Sequence, residues 1–291
     1  MGQDRMGLPL VMFQAGRLAK VLKEPLKEPL EEPLSASTQT ILITGASRGI
    51  GAAIARACAA DGYRLILHAS AESAQATALM DALDGARADF VFEDLATDDA
   101  GTRLVEQASA LADGTLTAIV NNAGIYEATP LTGPVDDWQQ GWARTLAVNV
   151  QAPADIIRAG VSMHRGQSRE QGGDQTPLRI VNIASRAGHR GDGIDHAGYA
   201  ASKGAVLAMT KSWARALAGE GIELYAIAPG WVETRMAPAD IAAREKAVAE
   251  IPLGRVAAPE EVARVALFLL SGHCPSAVGS TIDINGASYV R

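Results

Sequence analysis

The chain has 291 residues and a formal net charge of −7, a length that can bury one large core and a charge that argues against a general nucleic-acid binder. Hydrophobic residues make up 48% and charged residues 20%, as in soluble globular proteins, and no apolar run approaches the length of a membrane span. The two cysteines, Cys58 and Cys274, lie in alanine-rich and apolar surroundings and read as reduced, small apolar residues of a cytoplasmic protein, not as a disulfide or metal pair.

Residues 1–39 differ from the rest. Leu8, Val11, Met12, Ala15, Leu18, Ala19 and Leu22 fall at helical spacing, with Arg17, Lys20 and Lys23 beside them. A secretory signal is not expected, because Pro9 breaks the short apolar core and no A-x-A site follows. "KEPLKEPLEEPL" (23–34) is a four-residue repeat whose prolines exclude an α-helix and favour extended chain. At about 3.1 Å per residue it reaches roughly 37 Å. Two readings stand: a tether carrying a short amphipathic helix, or a floppy extension.

From Thr40 onward, strand and helix signals alternate. Strands are expected at 40–44, 63–69, 89–93, 116–121, 178–184, 222–228 and 280–284, and helices at 50–60, 101–112, 138–163, 198–218 and 259–271. Pro259 followed by Glu260 and Glu261 is a good helix start. This alternation implies an α/β fold, a doubly wound parallel sheet with helices on both faces. One domain is expected over 40–291, with 1–39 as an extension. A polar loop is expected at 164–177, feeding the amino end of a strand and so away from any ligand.

The chemistry-bearing stretches come in order. "TGASRGIG" (44–51) joins the first strand to the first helix. Its glycines, Gly45, Gly49 and Gly51, suit a phosphate cradle or an ordinary tight turn. In "GYAASKGA" (198–205), Tyr199 and Lys203 are four apart and share a helix face. An ammonium there is expected to lower the phenol pKa from its usual value near 10 and make the tyrosine a proton donor and acceptor. Ser185 ends the apolar strand "IVNIAS", where its hydroxyl can face the same crevice.

Together with "NNAG" (121–124) and "APGWVETRM" (228–236), these stretches resemble the short-chain dehydrogenase/reductases, nearest their 3-oxoacyl-reductase-like branch, over about residues 40 to 291. The resemblance implies a Rossmann fold. It also implies a catalytic tetrad: Tyr199 as acid/base, Lys203 on the nicotinamide ribose, Ser185 on the substrate oxygen, and Asn149 on a water that links Lys203 to solvent. Gly45, Ser47, Arg48, Gly49, Ile50 and Gly51 would contact the dinucleotide in the turn. Asp94 and Leu95 would hold the adenine, and Asn122, Ala123 and Gly124 its ribose. Pro229, Gly230, Val232 and Thr234 would hold the nicotinamide carboxamide. Family members usually form tetramers through two long helices, here 138–163 and 198–218, so a homotetramer of twofold symmetry is implied.

NADP(H) is expected ahead of NAD(H). An acid at the end of the second strand would bind a ribose 2′-OH, but Ala69 stands there, Ser70 follows, and Arg48 supplies a positive charge. Glu72 is the counter-argument. No metal is expected. Tyr126, Trp138, Met236 and a lid over about 231–253 offer apolar and aromatic surface for a small carbonyl or alcohol substrate. Arg186, His189, Arg190, Asp192, Asp195 and His196 form either a contact zone for a polar or anionic substrate or a solvated rim. Reductases of carrier-protein thioesters show an arginine where this chain has Glu220, which counts against that alternative. A catalytically silent NADP-binding regulator is the alternative of another class, and the complete tetrad argues against it.

Overall fold

A computed structural model describes residues 35–36, 39–112, 116–171, 176–235 and 240–291. The segments expected to form an amphipathic helix and a proline tract fall on residues 1–34, outside the described residues. The fold lies within one compact unit, Leu34–Arg291.

All seven expected strands form. They are β1 (Thr40–Ile43), β2 (Arg64–Ala69), β3 (Ala88–Phe92), β4 (Leu116–Asn121), β5 (Leu178–Ile183), β6 (Ile222–Pro229) and β7 (Thr281–Ile284). Their order across the sheet is 3-2-1-4-5-6-7, and every neighbouring pair is parallel. Buried on both faces, the inner strands β1, β2, β4, β5 and β6 read as near-continuous apolar runs. Ile41 and Ile43 point to one layer, with Ile54 and Cys58 of α1 (Gly49–Ala60) and Val262 and Leu270 of the last long helix, Pro259–Leu270. Leu42 points to the other, with Leu104, Ile156 and Ile157. The sheet order reverses between β1 and β4, and such a switch opens a crevice at the carboxyl ends of the strands.

The helices after α1 are α2 (Ala74–Ala82), α3 (Ala100–Leu111), α4 (Val135–Leu146), α5 (Ala152–Gln171), α6 (Ala187–Arg190), α7 (Ala197–Leu217), α8 (Ile241–Ala249) and α9 (Pro259–Leu270). Helices α2 and α8 have little apolar periodicity, and each starts at a side-chain cap. Ser73 Oγ accepts from Ala76 N–H at 3.2 Å, and Asp240 Oδ2 accepts from Ala243 N–H at 2.8 Å. In α9, Glu261 reaches back to the Ala258 N–H at 2.7 Å, the acidic half of a capping box. The stretch expected as one helix over 138–163 is α4 and α5 joined by a π turn, Ala147–Gln151.

The polar loop expected at 164–177 is a correction. Helix α5 continues to Gln171, because no proline falls between Pro153 in its first turn and Pro177, and its later half is anchored. His164 is buried, with Nε2 3.3 Å from the Glu220 carbonyl, and Arg165 grips the Glu220 carboxylate at 2.7 and 2.9 Å. This corner lies at the amino end of β6, away from the crevice.

The same end of the sheet holds a buried ion pair. Arg179 Nε donates to Glu223 Oε2 at 3.0 Å, and the Tyr225 hydroxyl donates to the same oxygen at 3.0 Å. Removing one partner of such a pair leaves an uncompensated buried charge. Arg179→Ala is therefore expected to destabilise the fold by about 3–5 kcal/mol, read from chemical denaturation. The double variant Arg179→Met, Glu223→Leu should recover most of the loss.

Candidate active site

The glycine turn links β1 to α1 and is pinned from three sides. Thr44 Oγ1 accepts from the Asn122 N–H at 3.0 Å and the Ala123 N–H at 2.9 Å. Asn122 Nδ2 donates to the Thr44 and Gly45 carbonyls at 2.9 and 3.1 Å. The buried ring of His68 takes the Gly45 N–H on Nδ1 at 3.2 Å, and its Nε2 lies 2.8 Å from the Glu93 carbonyl. That pattern makes Nδ1 the acceptor and Nε2 the donor of a neutral ring. Burial lowers the His68 pKa, against a smaller opposing pull from Glu93.

Gly45 adopts φ +62°, where other residues are strained, and a Cβ on it would stand 2.9 Å from Ala123 Cα. A Cβ on Gly51 would overlap the Gly45 carbonyl and lie 2.6 Å from Asn122 Nδ2. Helix α1 starts at Arg48 with no side-chain cap and no acid in its first turn. Its positive end is left for an external anion. The donor set and the bare backbone fit a dinucleotide pyrophosphate.

The other expected cofactor residues border this turn. The Thr234 methyl group lies 3.2 Å from where a Cβ of Gly49 would be. Val232 forms a bridge to Ala257, fixing the chain that leaves Pro229 and Gly230 at the end of β6. Asp94 is exposed, and its Oδ1 accepts from Ala96 N–H at 3.0 Å, whereas the Leu95 side chain is buried in the core. Ala69 is buried, and Arg48, Ser70 and Glu72 are exposed. Ser47 and Ile50 are partly buried.

The four expected catalytic residues come from two elements, the end of β5 and α7, and from the π turn. Ser185 follows β5, and its Oγ accepts from the Ala187 N–H at 3.1 Å. Tyr199 and Lys203 sit on α7. Lys203 is only 5% exposed, and its Nζ donates to the Ile183 carbonyl at 2.8 Å. Asn149 is 1% exposed inside the π turn, a distortion often found at functional sites. Asn149 Oδ1 accepts from the Ile125 N–H at 2.8 Å, and its Nδ2 donates to the Ile125 carbonyl at 2.9 Å and to Ser202 Oγ at 3.0 Å. Ser202 Oγ donates in turn to the Tyr199 carbonyl at 2.7 Å. A Cβ on Gly124 would lie 3.3 Å from Asn149 Oδ1 and 3.4 Å from Lys203 Nζ. The missing side chain leaves that gap open.

The expected lowering of the tyrosine pKa is corrected. Tyr199 is pushed up to about 12: burial dominates, the Ser185 hydroxyl opposes it, and Asp192 adds to it. Burial brings Lys203 down to about 8. The ammonium stands 5.8 Å from the centre of the Tyr199 ring, and its hydrogen bond is directed at β5. The chain's own field therefore presents a protonated phenol near neutrality.

Tyr126 forms the wall beside Tyr199, edge-on at 4.8 Å between ring centres. It stacks on His196 at 4.1 Å and meets Trp231 edge-on at 6.2 Å. Trp138, expected in this wall, packs on Trp142 at 5.3 Å instead. Met236 lies outside the described residues.

Comparison with known proteins gives one answer. A family model described as Enoyl-(Acyl carrier protein) reductase matches residues 45–287. Galactitol 2-dehydrogenase of Agrobacterium fabrum is 31% identical, over 87% of this chain and 98% of its own. The 3-oxoacyl-[acyl-carrier-protein] reductase of Escherichia coli is 33% identical over 86% and 96%. The crystal structure of a short chain dehydrogenase from Burkholderia cenocepacia in complex with NADP superposes with a TM-score of 0.77 at 29% identity, covering 88% of this chain and 99% of that one. The chain belongs to the short-chain dehydrogenase/reductase family. It is an oxidoreductase of alcohol and carbonyl groups built to use a nicotinamide dinucleotide.

In this short-chain dehydrogenase/reductase, sequence reasoning missed Thr44, His68 and Ser202. Thr44 and Ser202 lie inside quoted motifs but make their bonds across 78 and 53 residues, which no local pattern signals. His68 is the penultimate residue of the apolar strand β2, just before Ala69. The folded chain resists protonating this ring and the unfolded chain does not. Its contribution to stability is therefore complete above about pH 6.5 and is lost as pH falls below it. His68→Phe should melt lower than the parent near neutrality, since the Gly45 N–H loses its acceptor. It should also lose less further stability between about pH 6.5 and 5; thermal melts across that range measure both.

Proposed function

We propose that the protein is an NADP-dependent oxidoreductase that interconverts a ketone and a secondary alcohol, with Tyr199 as proton donor and acceptor. The observation that carries this reading is the convergence of Ser185, Tyr199, Lys203 and Asn149 at the carboxyl ends of β4 and β5, beside a glycine turn that fits a pyrophosphate. NADP(H) bound there would supply or receive the hydride. The turn residues Gly45 to Gly51, the Asn122–Gly124 backbone and Pro229 to Thr234 would hold it, with Asp94 and Leu95 at its adenine. Ser185 would hydrogen-bond the substrate oxygen, and Tyr199 would give its proton to that oxygen in reduction. Lys203 would restore the proton, and the gap at Gly124 would admit the water that Asn149 Oδ1 orients.

The similarity to galactitol 2-dehydrogenase supports a polyol-like or small-ketone substrate. A 3-oxoacyl thioester reductase is the second reading, favoured by the Escherichia coli relative. Against it, Glu220, paired with Arg165, stands where carrier-protein reductases show an arginine. The complete tetrad argues against a silent regulator. We also propose a homotetramer assembled through α4, α5 and α7, located in the cytoplasm; a monomer mass in light scattering would contradict the assembly.

Tyr199→Phe should abolish turnover and leave NADPH binding nearly intact, read by absorbance at the nicotinamide band and by NADPH fluorescence. Residual turnover within about tenfold of the parent would assign the proton to another group. With Tyr199 raised to about 12 and Lys203 lowered to about 8, reduction should hold from about pH 6 to 8 and then decline as Lys203 loses its proton. Oxidation, which needs the phenolate, should climb over the same range.

Arg48, Ser70 and the absence of an acid at Ala69 support NADPH over NADH. The KM should be lower for NADPH, and Arg48→Ala should narrow the difference. A wild-type preference for NADH would give the ribose to Glu72.

A further inference from the structure

Six charged residues follow Ser185, and two of them, His189 and Arg186, carry a buried side-chain nitrogen with no hydrogen-bond partner among the described residues. Arg190 Nη2 lies 3.3 Å from Glu250 Oε2. His189 faces Asp283 at 3.8 Å and stacks on Tyr289 at 5.6 Å. Asp192 lies beside the Tyr126 hydroxyl, whose pKa it helps raise after burial. The Asp195 carbonyl takes the Thr129 N–H at 2.7 Å, and His196 stacks on Tyr126. Arg186 is the sixth.

Arg186 is 5% exposed, although it lies directly after Ser185. Its backbone N–H donates to the Pro229 carbonyl at 2.9 Å, which seats it between the Ser185 strand end and the start of the lid. Its Cδ is 3.5 Å from where a Cβ of Gly230 would stand. Among the described residues Nη1 is sealed from solvent and has no hydrogen-bond partner. The carboxylate that faces it, Glu250 at the end of the lid helix α8, comes no nearer than 3.9 Å to Nη2, beyond hydrogen-bond reach. That same Oε2 is already shared with Arg190, so two guanidinium groups converge on one carboxylate oxygen. Tyr126 feels the Arg186 charge and stands edge-on to Tyr199.

A buried guanidinium with unused donors is costly, and few such groups occur without an explanation. We infer that Arg186 is the anion receptor of the substrate crevice, and that the substrate carries a carboxylate which takes the free side of this guanidinium fork. The planar fork matches a carboxylate with two parallel hydrogen bonds. A ligand anion would also relieve the sharing of Glu250 by giving each arginine its own carboxylate. Arg190, exposed and already paired, does not need one. The inference rests on the oxidoreductase reading above and adds the class of its substrate: a keto or hydroxy acid.

The test uses the full chain with NADPH or NADH and three matched sets of ketones: short keto carboxylates, their neutral amides, and ketone phosphates of the same length. The expected kcat/KM for the carboxylates exceeds that for the amides on the order of 100-fold. Arg186→Gln should shrink that ratio on the order of 100-fold, mainly through KM, and Arg186→Lys should recover only part of it, since an ammonium cannot fork. NADPH fluorescence checks that each variant is folded; if Arg186→Gln does not fold, the wild-type ratio decides alone. A wild-type ratio near one, or a ratio unchanged by Arg186→Gln, overturns the inference and leaves the oxidoreductase reading standing. Preference for the phosphates overturns the carboxylate assignment. Turnover of none of the three sets overturns the parent reading and this inference with it.

Discussion

The site depends on the joint between β1 and β4. There Thr44 Oγ1 donates to the Val120 carbonyl at 3.3 Å and accepts two backbone N–H groups from the end of β4, while Asn122 returns two bonds to the glycine turn. This joint sits where the strand order reverses. It draws the turn so close to β4 that only glycine fits at Gly45 and Gly51. A cradle of bare backbone at the positive end of α1 is the consequence. His68 extends the joint to β2 and β3, so four strand ends are tied together.

Helix α7 meets this frame through polar contacts. Lys203 is bonded to the last carbonyl of β5, and Ser202 ties the helix through Asn149 to the segment after β4. The π turn makes this possible, because its extra residue turns the Asn149 side chain inward from a helix that would otherwise cover the sheet with apolar groups. Burial then acts on the two titratable partners in opposite directions. It raises the phenol and lowers the ammonium, since each resists carrying its charge in a poor solvent. The two values are driven apart, so near neutrality the phenol keeps its proton while the ammonium gives its proton up more readily than a solvated lysine.

The two ends of the sheet treat charge differently. At the amino end, Arg179 with Glu223 and Arg165 with Glu220 are satisfied by close hydrogen bonds. Those groups hold strand starts and a helix end in place. At the carboxyl end, α1 is left uncapped, Lys203 donates to the Ile183 carbonyl, and Arg186 has a sealed nitrogen with no partner among the described residues. An uncapped helix end and a buried guanidinium with an open nitrogen are features that an anionic ligand would satisfy.

The sequence alone determined the layered architecture. Seven short apolar runs separated by helical stretches admit one economical arrangement, a parallel sheet covered on both faces, and the ordered motifs placed a glycine turn and a Tyr-x-x-x-Lys pair at the same end of it. Those features are local in sequence: a turn needs its glycines, and a helix puts residues four apart on one face. What the tertiary structure alone decided is non-local. The continuation of α5 to Gln171 depends on its anchor to Glu220, 55 residues away. The partnership of Asn149 with Ile125 and Ser202, the pinning of Gly45 by His68, and the upward shift of Tyr199 follow from packing and burial that no spacing encodes. Among the charged residues after Ser185, composition treated six alike. Only the folded chain set Arg186 apart as a buried guanidinium, because burial and hydrogen-bond satisfaction are properties of neighbours in space.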